Sequence, residues 1–237
     1  MSYAVLVLEQ PWWGLHEDPG QTSARYFLDG LSRLDGLPTF YATFYDTSSF
    51  GQALKYLVDA RKLEFVDHLI VYVASHGSGA RLGNGNAPDM NLGTVFDRIQ
   101  KFGKGKVVGV ILDSCEIGAQ FRMIEAGMKK TKIRWLMGYG ASVDWLTSTL
   151  INLHVLSVMA NLESDELKST KALKAAVQEA FGLFNPCLVI EDDEVAGDDA
   201  EDPLLLSEIL TVAIQASNKM PTFLSPDDIW PEFVVEA

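Results

Sequence analysis

A histidine and a cysteine each follow an apolar run that has the length of a buried strand. His76 comes directly after "VYVAS", and Cys115 comes directly after "VILDS". A thiol is mostly protonated near neutral pH, and it becomes a strong nucleophile when an imidazole accepts its proton or stabilises the thiolate. The two residues therefore predict a nucleophile and base pair, although a free cysteine taken alone is commonly a small core residue.

Glycine follows the histidine directly and lies shortly after the cysteine. Gly77 permits a sharp turn after its strand, and Gly118 lies in the first turn of the helix that we expect after Cys115. Attack on a carbonyl carbon develops negative charge on the carbonyl oxygen, and preorganised N–H donors stabilise that charge. We therefore expect the backbone N–H groups of Gly77 and Cys115 to form an oxyanion hole.

The elements that must position these residues alternate along the chain. Apolar runs predict strands, and the segments between them place apolar residues at the i, i+3, i+4, i+7 spacing of a helix with one buried face. Such alternation produces an open, mostly parallel α/β sheet with helices on both faces, which binds ligands beyond the carboxyl ends of its strands. The predicted strands cover 3–8, 40–45, 68–74, 106–112 and 133–137, and two later helices cover 144–160 and 165–181.

The loop after the fifth predicted strand reaches the same edge of the sheet. Its sequence is "MGYGASVDW", and residues at this edge are candidates for a substrate pocket. Helix capping explains Ser142 or Asp144 equally well, because serine and aspartate are preferred at the start of helices. The four candidates for the substrate pocket are Tyr139, Ser142, Asp144 and Trp145.

Asp113 lies two positions before the cysteine. Residues two apart on an extended strand point to the same side, so this carboxylate is expected to line the pocket beside Cys115. A partly desolvated carboxylate needs a cation, which a substrate Lys or Arg before the scissile bond would supply. The alternative is a structural carboxylate that accepts hydrogen bonds from backbone N–H groups of the rim.

Composition limits the class of protein. A chain of 237 residues with 48% hydrophobic content favours one large α/β domain, 1–237, over two small ones. The net charge of −13 argues against a nucleic-acid partner and favours a basic substrate, because nucleic-acid binders neutralise phosphates with Lys and Arg. Two cysteines without paired spacing favour the reducing cytoplasm, and neither a signal peptide nor a membrane span is predicted.

An acidic segment, "EDDEVAGDDAED" at 191–202, precedes the C-terminal segment 203–237. Eight of its residues are acidic and none is basic, so self-repulsion predicts a solvated loop. Weak calcium binding is the alternative, although the segment does not fit an EF-hand. The cysteine chemistry itself requires no metal and no cofactor. The apolar stretch that follows, at 204–216, fits either a helix or a helix that ends in a strand.

Both strand ends also resemble a known family. "DHLIVYVASHGSG" and "VVGVILDSCEIG" resemble the signature strands of the caspase-like cysteine peptidases, the clan of caspases, metacaspases and CHAT-type bacterial proteases. "LDSC" followed by Gly118 is especially similar to metacaspases, and the resemblance covers about 1–145. It implies endopeptidase cleavage by a Cys115 and His76 dyad, with Gly77 and Cys115 as oxyanion donors. It also implies a protein or peptide substrate with a basic residue beside Asp113.

Two features depart from the family pattern. Metacaspases usually have a basic or histidine-like residue where this chain has Glu116, which we expect to point outward from a first helical turn. "MKKTKI" at 128–133 is much shorter than the loop that caspases cut. We therefore expect activity in the intact chain, gated by an activating protein partner or by ordering of rim loops.

The rival interpretations are a catalytically silent interaction module of the same fold and a nucleotide-binding regulator.

Overall fold

A computed structural model describes residues 1–11, 23–83, 89–190 and 203–232 of the chain. Short 3-10 turns lie at Arg61–Leu63, Ile117–Ala119 and Glu166–Lys168. The helices are α1 (Arg25–Leu34), α2 (Thr47–Val58), α3 (Leu92–Phe102), α4 (Phe121–Thr131), α5 (Trp145–Met159), α6 (Thr170–Phe181), α7 (Leu206–Ile209) and α8 (Pro226–Ile229). The strands are β1 (Tyr3–Glu9), β2 (Thr39–Thr43), β3 (His68–Ala74), β4 (Gly77–Ser78), β5 (Arg81–Leu82), β6 (Met90–Asn91), β7 (Val107–Asp113), β8 (Trp135–Tyr139), β9 (Leu210–Ile214) and β10 (Thr222–Phe223).

Seven strands form one sheet in the order β10-β9-β8-β7-β3-β1-β2. The five strands from β2 to β8 in this order are parallel, whereas β9 runs antiparallel to β8 and β10 runs antiparallel to β9. Every residue of β1 and β7 is buried, which is typical of parallel strands covered on both faces. The remaining strands, β4, β5 and β6, form a small antiparallel sheet.

Helices cover both faces of the large sheet. Apolar residues of α1, α5, α6, α7 and α8 pack with one face, where alternate β1 residues such as Val5 contribute. Apolar residues of α2, α3 and α4 pack with the other face, to which Leu6 and its alternate neighbours contribute. The predicted mostly parallel α/β sheet with helices on both faces is therefore confirmed.

Several boundaries differ from the sequence-based expectation. The fifth predicted strand is displaced by two residues and becomes β8, because the chain first makes a left-handed turn at Lys132, with a φ of 60°. The helix expected after Cys115 is a 3-10 turn followed by α4. The helix predicted at 165–181 likewise begins with a 3-10 turn, and the ambiguous stretch at 204–216 is α7 followed by the antiparallel strand β9.

The small sheet of β4, β5 and β6 was not predicted. Its strands have two residues each, too few for an alternating apolar pattern to be recognised. The acidic segment 191–202 lies outside the described residues. Within the described ranges, no helix combines the length and the apolar character that crossing a membrane requires.

Candidate active site

The candidate site lies where the neighbouring parallel strands β3 and β7 end. Ala74 and Asp113 are register partners, and the Ser75 N–H donates to the Asp113 carbonyl oxygen at 3.3 Å. One residue further, the hydroxyl oxygens of Ser75 and Ser114 are 3.1 Å apart. The paired register therefore delivers His76 and Cys115, the next residue on each chain segment, to the same edge of the sheet.

A small pocket of about 100 Å³ opens at this edge. His76 is exposed, whereas Cys115 is only partly buried and packs against the core. Two of the sequence-predicted substrate residues, Asp113 and Trp145, share this pocket with the predicted dyad. The pocket is lined by Ala74, Ser75, His76, Asp113, Ser114, Cys115, Val143, Trp145 and Ser148.

Gly77 lies directly against the backbone of Cys115. A Cβ atom added to Gly77 would lie 2.0 Å from the Cys115 carbonyl oxygen and 3.0 Å from its backbone nitrogen. No side chain fits at that separation, so the close approach of the two loops requires glycine at position 77. The two backbone segments that were predicted to supply oxyanion donors are thus in contact.

Glu116 departs from the expectation of an outward-facing helical residue. It has a φ of 61° and a ψ of −14°, which is the left-handed region, and it precedes the 3-10 turn rather than lying within a helix. Its carboxylate accepts a hydrogen bond of 2.7 Å from the N–H of Gly79, which lies in the turn between β4 and β5. This side chain therefore joins the loop after Cys115 to the loop after His76.

Asp113 is 8% exposed and belongs to a chain of buried hydrogen bonds below the pocket. The Tyr72 hydroxyl donates to its carboxylate at 2.5 Å, and the Asn152 amide donates to the Tyr72 hydroxyl at 3.2 Å. The Tyr139 hydroxyl in turn donates to the Asn152 side-chain oxygen at 3.0 Å. A tyrosine hydroxyl therefore holds the Asp113 carboxylate in place. The alternative of a structural carboxylate had predicted hydrogen bonds from backbone N–H groups of the rim instead.

Burial raises the pKa of Asp113 to about 6, and the negative charge of Glu9 contributes in the same direction. Hydrogen bonds from Tyr72, Asn152 and Ser148 oppose this rise in the pKa because they stabilise the ionised carboxylate. Glu9 is itself fully buried at the end of β1, where its carboxylate accepts from the Ser23 hydroxyl at 2.5 Å. Asp113 is therefore a carboxylate whose charge changes close to physiological pH.

The other predicted pocket residues occupy different surroundings. Tyr139 is fully buried and directs its hydroxyl to α5, and the half-buried Ser142 does not line the pocket. Asp144 caps α5, because its carboxylate accepts from the Thr147 N–H at 2.7 Å. Trp145 lines the pocket and makes an edge-on contact with Phe27, with ring centroids 5.2 Å apart. The structure thus brings Asp113 and Trp145, but neither Tyr139 nor Ser142, to the predicted dyad.

Sequence reasoning missed the polar residues that surround Asp113. Ser148 and Asn152 lie in α5, an otherwise apolar helix, and both are buried. Buried polar side chains need hydrogen-bond partners, so their presence in an uncharged helix was the available signal. Tyr72 carried a weaker signal, because a tyrosine within a buried strand needs a partner for its hydroxyl.

No group of three or more histidine, cysteine, aspartate or glutamate side chains arranged for a metal ion is present in the described ranges. The alternative of weak calcium binding concerns 191–202, which these ranges do not include. The pocket residues supply a thiol, an imidazole, a carboxylate and hydroxyl groups. Such a set can perform nucleophilic acyl transfer with its own side chains.

Comparison with solved structures gives a similar fold, whereas the other two comparisons give no match. No family model and no curated protein matches the chain. The X-ray structure of a secreted C11 cysteine protease from Bacteroides thetaiotaomicron, in complex with an irreversible peptide inhibitor, is similar to the chain with a TM-score of 0.47 and 8% sequence identity. The alignment covers 89% of this chain, which spans 66% of that protein's length.

Proposed function

We propose that the chain is a cysteine endopeptidase that cleaves protein or peptide substrates after Arg or Lys. The observation that carries the proposal is the pocket at the ends of β3 and β7, where His76, Cys115 and Asp113 lie together. A thiol and an imidazole at one small pocket can supply the nucleophile and its base, and the carboxylate can supply the complement of a basic side chain.

The reaction assigns a separate role to each group. His76 accepts the proton of the Cys115 thiol, and Sγ attacks the carbonyl carbon of the scissile bond. As the C–N bond breaks, His76 donates that proton to the departing amine and leaves a thioester on Cys115. Backbone N–H groups of Gly77 and Cys115 stabilise the oxyanion. A water molecule, deprotonated by His76, then hydrolyses the thioester and regenerates the free thiol. No metal or cofactor takes part in these steps.

Specificity is assigned to Asp113 and Trp145. Asp113 and Trp145 both line the pocket. The Asp113 carboxylate can pair with the charge of a substrate Lys or Arg, and the indole of Trp145 can cover the aliphatic part of that side chain. Asp144 lies next to Trp145 and adds negative charge at the rim. The net charge of −13 favours the approach of basic segments at low salt. We further propose a cytoplasmic location and control by a protein partner.

The test is covalent labelling followed by mutagenesis. A peptidyl chloromethyl ketone with Arg at its reactive end should alkylate Cys115, and mass spectrometry of the digested protein locates the adduct. Cys187 is an exposed free thiol, so Cys187→Ser is the background in which Cys115 is tested. Cys115→Ala and His76→Ala should each lower the cleavage rate of Arg peptides by at least about a thousandfold while the fold is retained.

Two results would count against the enzyme. Full activity of Cys115→Ala would reject the mechanism. If the wild type cleaves no peptide and labels no faster at Cys115 than at Cys187, the rival interaction module becomes the better interpretation. A gain in melting temperature on adding nucleotides would instead favour the regulator.

A further inference from the structure

Glu116 has a backbone conformation that few residues other than glycine adopt. Its φ of 61° is costly for a residue with a Cβ atom, and such conformations persist where surrounding interactions stabilise them. The Ile117 N–H donates to the Cys115 carbonyl oxygen at 2.7 Å, which closes a tight turn around Glu116. The Glu116 N–H donates to the Ala141 carbonyl oxygen at 3.2 Å. The turn thus aims the Glu116 side chain away from the helical direction.

The Glu116 side chain contacts the loop that carries His76. We call residues 76–83 the histidine hairpin. In it, β4 pairs with β5, and the Gly83 N–H donates to the His76 carbonyl oxygen at 3.0 Å. Gly79, with a φ of 55°, lies at the turn and donates its N–H to the Glu116 carboxylate at 2.7 Å. A hydrogen bond from an N–H to a charged acceptor is stronger than one between neutral groups.

This bond supplements the contact at the base of the hairpin. There, Gly77 lies against the Cys115 backbone so closely that no Cβ atom would fit. One contact at Gly77 and a second at Gly79 hold the hairpin at two points along its length. Two points of attachment restrict rotation of the hairpin relative to the cysteine loop, whereas one point leaves a hinge.

We propose that Glu116 is a positioning residue that couples the cysteine loop to the histidine hairpin and so sets the placement of His76 and Gly77 relative to Cys115. This inference rests on the proposed peptidase function for its kinetic consequences. Its structural basis is the Glu116–Gly79 hydrogen bond. Glu116 acts through the hairpin and does not touch the substrate.

The Glu116 carboxylate acts on the site in two opposite ways, as a hydrogen-bond acceptor and as a negative charge. Different substitutions separate these two effects. The acceptor holds the hairpin in place, whereas the negative charge disfavours a thiolate at the neighbouring Cys115. Glu116→Gln keeps an oxygen acceptor and removes the charge. Glu116→Asp keeps the charge but shortens the side chain by one methylene group, and Glu116→Ala removes both acceptor and charge.

The experiment compares these variants in the Cys187→Ser background. We expect Glu116→Ala and Glu116→Asp to lower kcat by about tenfold to a hundredfold with little change in KM, because misplacing reacting groups by about 1 Å costs this much. Glu116→Gln should restore kcat to within about threefold of the parent. The pH midpoint of iodoacetamide alkylation at Cys115 should fall in Glu116→Gln, because this substitution removes the negative charge beside the thiolate. His76 and Asp113, the other titratable groups that line the pocket, are unchanged in this variant.

The experiment includes a matched control variant and a second readout that does not depend on peptidase activity. Lys132→Ala removes a side chain from a residue with a φ of 60° at the end of α4, and it should leave kcat and the alkylation midpoint unchanged. Amide hydrogen exchange of Gly79 should accelerate in Glu116→Ala and return towards the parent rate in Glu116→Gln. If Glu116→Ala does not fold, Glu116→Gly replaces it, because glycine accepts the left-handed φ.

The proposal is overturned if the alanine variant keeps the parent kcat and Gly79 exchange rate. It is also overturned if the folded Glu116→Gln enzyme is as slow as Glu116→Ala, since the acceptor would then not explain the role. A parent chain that cleaves no peptide rejects the proposed function. In that case, the Gly79 exchange rate and the pH midpoint of Cys115 alkylation still test the coupling. The coupling is rejected if both stay at the parent values in all variants, and it is supported if they change as expected.

Discussion

The Tyr72 hydroxyl donates a 2.5 Å hydrogen bond to the Asp113 carboxylate, below the candidate active-site pocket. The Asn152 amide donates to the same tyrosine hydroxyl at 3.2 Å, so the tyrosine is held as a donor to the carboxylate. Asp113 is nevertheless buried, and its pKa remains raised to about 6. The molecule therefore carries a carboxylate whose ionisation is disfavoured in the folded state.

This raised pKa predicts a pH-dependent stability cost. The folded state binds the Asp113 proton more tightly than the unfolded state, whose pKa is near 3.8, so stability falls as the pH rises from about 4 to about 6. At one pKa unit per 1.36 kcal/mol, the cost above pH 6 is about 3 kcal/mol. Asp113→Asn should therefore have a larger free energy of unfolding than the wild type at pH 7.5, and a much smaller advantage at pH 4.

Urea denaturation at the two pH values measures this difference. Asp97→Asn is the control, because Asp97 is an exposed aspartate that forms a surface ion pair with Lys130. Its free energy of unfolding should change by less than about 1 kcal/mol at either pH. An Asp113→Asn protein that is less stable than the wild type at pH 7.5 would refute the predicted cost.

Substrate preference should follow the charge of Asp113. Matched peptides with Arg, Lys, Leu or Asp before the scissile bond should be cleaved by the wild type with a preference for Arg and Lys. That preference should weaken as the pH falls through about 6, because protonation removes the carboxylate charge. Asp113→Ala should lose Arg and Lys cleavage selectively, as measured by kcat/KM. Equal wild-type cleavage of Arg and Leu peptides, or a preference for Asp, would contradict the assignment.

Gly77→Ala should damage both activity and stability. The added Cβ atom would lie 2.0 Å from the Cys115 carbonyl oxygen, which is backbone and cannot rotate away. We expect a loss of about 1–3 kcal/mol in the free energy of unfolding and a drop in kcat of at least about tenfold, because the proposed oxyanion donors separate. Thermal denaturation and peptide cleavage measure the two effects.

Gly30→Ala is the matched control for this substitution. Gly30 lies inside α1, and an added Cβ atom there meets nothing within 4 Å. Alanine in a helix interior is favoured over glycine by about 1 kcal/mol, so this variant should be slightly more stable and equally active. Wild-type activity in Gly77→Ala would show that the close approach is dispensable.

Activity should require no chain cleavage between 128 and 134. The segment is occupied by the end of α4 and by the buried Ile133, and β8 begins at Trp135. Cutting here would separate a core helix from a core strand, so we expect an intact active chain. Mass spectrometry of enzyme labelled by the Arg chloromethyl ketone tests this. A labelled two-chain species with termini in 128–134 would contradict it.

The sequence by itself predicted the five parallel strands of the sheet and the region of the candidate site. Long, strongly apolar strands such as β3 and β7 were recognisable because both faces of a parallel strand are buried, and His68–Ala74 was predicted with its observed bounds. Placement of His76 and Cys115 at one edge followed from strand polarity alone. Their catalytic roles stay predictions, as do the oxyanion donors.

Only the tertiary structure decided which polar groups meet. Asn152 and Tyr72 are 80 positions apart in the chain, and they come together because α5 packs over the end of β3. Tyr139 is the last residue of β8 and Asp144 lies in the loop after it, yet the first is buried in the core and the second caps a helix. The left-handed Glu116 and its bond to Gly79 were beyond local rules, because a contact across two loops, and not the propensity of glutamate, sets that conformation.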